Sequence, residues 1–205
     1  MKNIDLLNAS VQDFVCEFQG NVFNFLYERD LQSILFSIAY RHFATERVRM
    51  RGGFHRENAY GGNNYIDTVP IKCEYPMSQV FDIGLIDSDA VQHYDTALWN
   101  QYNWKNDKFW DQPVRAAVEL KYYQLGDSIE DKASAYEADV EKLKRYYDKR
   151  THNLFLGIAL ICIQTEQLDI FPFSVGEPYK QDAAFPQTGV FRYVVTPSSA
   201  KMYVT

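Results

Sequence analysis

The stretch Val114-Arg-Ala-Ala-Val-Glu-Leu-Lys-Tyr-Tyr123 reads as a β-strand that carries Glu119 and Lys121 two residues apart. Side chains in a strand alternate faces, so residues i and i+2 share one. Val114, Ala116, Val118, Leu120 and Tyr122 are expected on one face. Arg115, Ala117, Glu119, Lys121 and Tyr123 are expected on the other. An acid and an ammonium are then held about 7 Å apart on a rigid surface, at twice the strand rise. That pair suits metal-assisted hydrolysis: a carboxylate holds the ion, and a cation orients or polarises the attacking water.

Upstream, Ile71–Tyr75 and Gln79–Ile86 read as two strands of a hairpin around Pro76 and Ser78. In the second, Phe81, Ile83 and Leu85 are expected on one face, and Val80, Asp82, Gly84 and Ile86 on the other. An Asp inside an apolar strand is costly unless it is paired or binds a metal. Asp87, at the strand end, is the rival candidate for that acid, but it more easily serves as a turn residue with Ser88 and Asp89. Downstream, Ser128 and Asp131 resemble a capping box that opens a helix over 129–150. Its buried stripe is Ile129, Ala133, Tyr136, Val140, Leu143 and Tyr147. Lys142, Lys144, Arg145, Lys149 and Arg150 crowd its C-terminal half, where they offset the helix dipole or face phosphates. Residues 154–163 are apolar on both faces, as in a central, often parallel strand, and 190–195 make a last strand.

Toward the N-terminus, Phe23, Leu26, Tyr27, Leu31, Ile34, Leu35 and Ile38 recur at helical spacing and predict a helix over 21–43. Glu28 lies along the edge of that stripe, either turned toward a cleft or paired at the surface. From Arg41 to Arg56 there are five arginines and one acid, around Gly52 and Gly53. Arg47, Arg49, Arg51 and Arg56 are read either as a hairpin gripping a nucleic-acid backbone or as a solvated turn. The 88–112 segment, rich in Trp and Tyr, reads as an insertion whose rings pack onto the domain or stack on unpaired bases.

The 205 residues fit a single domain, with a core over about 21–165 and a C-terminal extension over 166–205. At 46% apolar and 23% charged, the composition is that of a folded chain. The net charge of −6 argues against unspecific nucleic-acid binding but leaves room for a local basic face. Cys16, Cys73 and Cys162 are scattered, and Cys73 and Cys162 are read as buried reduced thiols. That usage, the lack of a secretion signal and the lack of a long apolar run predict a cytoplasmic protein with no membrane span.

The order helix, strand, strand, strand, helix, strand predicts an α/β (mixed α+β) fold, a central mixed sheet flanked by helices. With Glu28 in the first helix, Asp82 in the second strand and Glu119-Leu120-Lys121 in the third, residues 21–165 resemble the PD-(D/E)XK nuclease superfamily, the restriction-endonuclease-like fold. Phe81 stands where that motif often has Pro. The 37 residues separating positions 82 and 119 require the 88–112 segment to be an insertion. The resemblance implies a metal-dependent nuclease that hydrolyses phosphodiester bonds, with DNA as the expected substrate. It implies Mg²⁺ or Mn²⁺ held by Asp82, Glu119 and the Leu120 carbonyl, with Lys121 positioning or deprotonating the water. Glu28 would complete the metal shell or bind a second ion, and a homodimer is consistent with the resemblance. The alternative is an inactive relative that serves as an immunity or regulatory module, its acidic surface meeting a basic protein partner.

Overall fold

The computed structural model describes residues 2–51, 65–76, 80–90, 113–149, 155–166, 172–180 and 185–205. The chain opens with α1 (Lys2–Gly20), a 3₁₀ turn (Val22–Asn24) and α2 (Glu28–His42). A hairpin of β1 (Val48–Arg51) and β2 (Tyr65–Thr68) follows. Next come β3 (Ile71–Tyr75), β4 (Phe81–Ile86), β5 (Val114–Tyr123), α3 (Ile129–Lys149) and β6 (Leu156–Ile163). The chain closes with β7 (Glu177–Pro178), β8 (Gly189–Val195) and β9 (Ala200–Val204).

Seven strands form one mixed sheet in the order β3-β4-β5-β6-β8-β9-β7. β5, β6 and β8 run parallel at its centre, and the remaining pairs are antiparallel. This is a mixed α/β architecture, a central sheet flanked by helices. Every residue of β6 is buried, because helices cover both faces of the sheet's centre. On one face Ala116, Val118, Leu120 and Tyr122 pack with residues of α1 and α2. On the other, Ala117 and Tyr123 pack with Tyr136, Val140, Leu143 and Tyr146 of α3. Residues 166–205, expected as an extension, supply β7, β8 and β9. Among the described residues, no helix is long and apolar enough to cross a membrane.

Several expectations are corrected. Helix α1 had no counterpart in the sequence reading, yet its stripe of Ile4, Leu7, Val11, Phe14, Val15 and Phe18 is buried. The helix expected over 21–43 begins only at Glu28. Phe23, Leu26 and Tyr27 stand in solvent, because Phe25 turns inward instead and packs on Phe14 and Phe18. Phe81 and Val114 join the α3-side core, not the face assigned to them. The β4–β5 register shifts between Leu85 and Ile86, which carries Val114 across. Phe81 pairs with Tyr75, next to Glu74, whose φ of 47° turns the edge strand β3. Cys162 is buried, but Cys73 is exposed on β3. Positions 91–112, most of the expected insertion, lie outside the described residues.

Gly84 lies against the backbone of Tyr75 in β3. A Cβ there would lie 2.9 Å from the Tyr75 carbonyl oxygen, a backbone atom that cannot swing aside. Gly84→Ala is therefore expected to cost about 1–3 kcal/mol, the usual penalty of overpacking. A urea midpoint equal to that of the unsubstituted protein would show that β3 yields at this point.

Candidate functional site

The pairing of β4 with β5 runs from Ile86↔Val114 to Ile83↔Val118. β5 continues to Tyr123, so its C-terminal half has an edge that the β4 ladder does not satisfy. Backbone N–H groups on that edge need partners. Two carboxylates supply them. The Leu120 N–H donates to Asp82 Oδ2 at 2.7 Å, and the Tyr122 N–H donates to Glu28 Oε2 at 3.4 Å. Asp82 is fixed by β4, with its own carbonyl accepting from Gln32 Nε2 of α2 at 3.2 Å. Glu28 is the first residue of α2, the turn of which is capped by Asp30: its Oδ2 accepts the N–H groups of Leu26 and Tyr27.

On the α3 side of the sheet, two ion pairs tie β5 to the helix. Lys121 Nζ lies 2.9 Å from Asp139 Oδ2 and 3.2 Å from Glu28 Oε1. Lys142 Nζ contacts Glu119 Oε1, donates to the Val80 carbonyl and sits 5.0 Å from the centroid of the Phe81 ring. The i, i+2 pair on the strand thus meets an i, i+3 pair on the helix, and in each case the signs are opposite. Glu28, Asp82, Glu119 and Lys121, expected from the sequence to act together, stand in one connected network. Asp139 and Lys142 were not assigned to it. Both flank the buried stripe of Tyr136, Val140 and Leu143, and that position on an inner helix edge is the signal they carry.

Burial governs the electrostatics. Glu119 is 4% exposed, and burial pushes its carboxyl up to about 8, against the pull of Lys142 and with repulsion from Asp82 and Asp139. Burial also raises Asp82, partly opposed by the Leu120 N–H and by Lys121. Burial works against the charge on Lys121, but Asp139 and Glu28 outweigh it and the ammonium is held more firmly than usual.

The donor chemistry suits a hard divalent cation: carboxylates on Asp82, Glu119, Asp139 and Glu28, and the Leu120 carbonyl beside Lys121 Nζ at 3.3 Å. Glu119 Oε1 and Asp139 Oδ2 are buried against the ammoniums of Lys142 and Lys121. Lys121 is shared by Glu28 and Asp139, Lys142 is paired with Glu119, and Asp82 rests on the Leu120 N–H. Among the described residues, no three His, Cys, Asp or Glu side chains are gathered in a ligating arrangement. The lysines hold these acids instead.

The arginines lie elsewhere. Arg49 forks onto Asp67 at 2.8 and 3.0 Å across the β1–β2 hairpin. Arg47 donates to the carbonyls of Ala44 and Glu46. The side chain of Arg51 and all of Arg56 lie outside the described residues. Asp87 is a turn residue, as expected: it is buried, accepts the Asp89 N–H and pairs with Arg115. Comparison with protein-family models, with curated proteins and with solved structures returns no match for this chain.

Proposed function

We propose that this chain is a metal-dependent nuclease with a restriction-endonuclease-like core, acting on DNA. The observation that carries the reading is the open edge of β5, where Asp82 and Glu28 cap backbone donors beside Glu119 and Lys121. A parallel β5–β6 pair followed from α3 and a β3–β4 hairpin at the sheet edge agree with such a core.

Asp82, Glu119 and the Leu120 carbonyl are the groups that would hold Mg²⁺ or Mn²⁺. A cation bound there supplies Lewis acidity, which lowers the pKa of water and offsets charge developing on phosphorus. The protein supplies orientation. Lys121, kept charged between Asp139 and Glu28, is a fixed donor that orients the attacking water or a phosphoryl oxygen. An ammonium held charged in this way favours positioning and charge stabilisation over proton abstraction. Glu28 orients Lys121 and closes the β5 edge.

The test is incubation with single- and double-stranded DNA and RNA in Mg²⁺, Mn²⁺ or EDTA. Cleavage in either metal that EDTA stops is expected. The second reading, an inactive protein-binding relative, draws on the Lys142–Glu119 contact, which already neutralises the acid without a metal. Intact substrates in every metal, with a folded protein, would favour it.

A further inference from the structure

Exposed apolar side chains are ordinary when scattered and informative when gathered. Among the described residues, the four most exposed large apolar side chains are Phe23 (83%), Leu125 (82%), Tyr27 (69%) and Leu26 (61%). They are gathered. Tyr27 directly precedes Glu28, and Leu125 follows Gln124, whose Nε2 donates to the Leu26 carbonyl at 2.7 Å. Leu26, Tyr27 and Leu125 thus lie beside the acid cluster as a lip, and Phe23 precedes Leu26 and Tyr27 in the same segment. Among the described residues, the other exposed large apolar side chains, Tyr40, Val175, Val80, Phe155 and Val204, are 43–50% exposed.

The backbone under this lip is pinned. Phe25 is fully buried, and its carbonyl accepts the Tyr122 hydroxyl at 2.9 Å. The N–H groups of Leu26 and Tyr27 both go to Asp30 Oδ2. The Leu125 N–H reaches Gln164 Oε1 at 3.3 Å. Rings standing in water on a hydrogen-bonded frame have little backbone freedom left to lose when a ligand covers them. Arg29, exposed one residue past Glu28, is a cation among the acids Glu28, Asp30 and Asp127 of this edge. Flat rings, a nearby guanidinium and an adjoining phosphodiesterase-type site match the way unpaired bases are held, by stacking with the backbone alongside.

We propose that Phe23, Leu26, Tyr27 and Leu125 form a base-stacking lip that takes unpaired nucleotides next to the scissile phosphate, which makes single-stranded nucleic acid the favoured substrate class. The inference rests on the nuclease reading for its substrate, and on the lip itself for its geometry.

The experiment is fluorescence anisotropy in Mg²⁺ with a labelled 12-nucleotide dT strand carrying phosphorothioate linkages, and with its duplex with dA. The strand is expected to bind more tightly than the duplex. Phe23→Ala/Tyr27→Ala, at exposed positions, is expected to weaken strand binding by about tenfold per ring while leaving the thermal midpoint and duplex binding unchanged. Equal strand affinity in the double variant overturns the proposal, as does preference for the duplex or absence of binding to either. So does a wild-type dimer that the double variant converts to monomer in light scattering, which assigns the lip to a second copy of the chain. Strand binding that depends on the lip but comes without cleavage of unmodified DNA keeps the lip and removes the nuclease. Cleavage that ignores the lip does the reverse.

Discussion

Lys121→Met is expected to lower the cleavage rate by on the order of 10²–10³-fold, with KM little changed. The loss falls on kcat because the ammonium's contribution grows with charge on the phosphoryl oxygens. Lys121 is gripped from two helices, by Glu28 of α2 and Asp139 of α3, so its position does not depend on substrate. Removing the cation leaves two part-buried acids without their partner, which costs stability as well as rate. A thermal melt at the assay pH separates the two effects. Asp82→Asn serves as the companion: it keeps the shape and removes the charge that the metal needs, and is expected to fall as far in rate. A folded Lys121→Met protein that cuts at the wild-type rate would remove this residue from the mechanism.

Much of this arrangement is legible in the chain because strands report their faces directly. The alternation through 114–123 places Glu119 and Lys121 together, and the structure keeps them on the α3 side of β5. The unbroken apolar run of β6 announces a strand covered twice, and it pairs in parallel with β5. Helix α1 was less legible because its stripe is diluted by Asn8 and Ser10, polar residues that are nonetheless buried. Their partners explain it: Asn8 donates to the Pro186 carbonyl, 178 positions away, and Ser10 to the Leu6 carbonyl. The 21–27 segment carries helical spacing but forms only a 3₁₀ turn, since Val22 and Phe25 find a place in the core while Phe23, Leu26 and Tyr27 do not. Lys142 reads from the sequence as a cation that offsets the helix dipole or faces phosphates, and Asp139 carries no assignment there. The stripe marks both residues as flanking the buried face, but which flanking charges meet β5 is set by tertiary packing.

Glu119 gives the molecule a pH signature of its own. In the ion-free protein its carboxyl titrates near 8, against an ordinary value of 4.5, chiefly because burial disfavours the charge. A folded-state pKa raised above the unfolded one gives stability that is fully present below the unfolded pKa and lost as pH rises through the folded one. Stability in EDTA is therefore expected to decline between about pH 4.5 and pH 8, by on the order of 5 kcal/mol if the whole shift is expressed. Asp82, also raised by burial, adds to the slope in the same direction. Glu119→Gln keeps the shape without the titration, so it is expected to flatten the decline and to melt above the wild type at pH 8. A divalent cation acts from the other side, because it binds the ionised carboxylate and stabilises the folded state by about 2.7 kcal/mol at a hundred times its Kd. Mg²⁺ or Mn²⁺ should then raise the wild-type midpoint more at pH 8 than at pH 5, and raise that of Glu119→Gln much less at either. Melts in EDTA and in metal at the two pH values read all of this without any substrate. Parallel pH profiles for the two proteins, with no shift from either metal, would mean that Lys142 alone satisfies this acid and that the cluster is a structural clasp between α3 and β5.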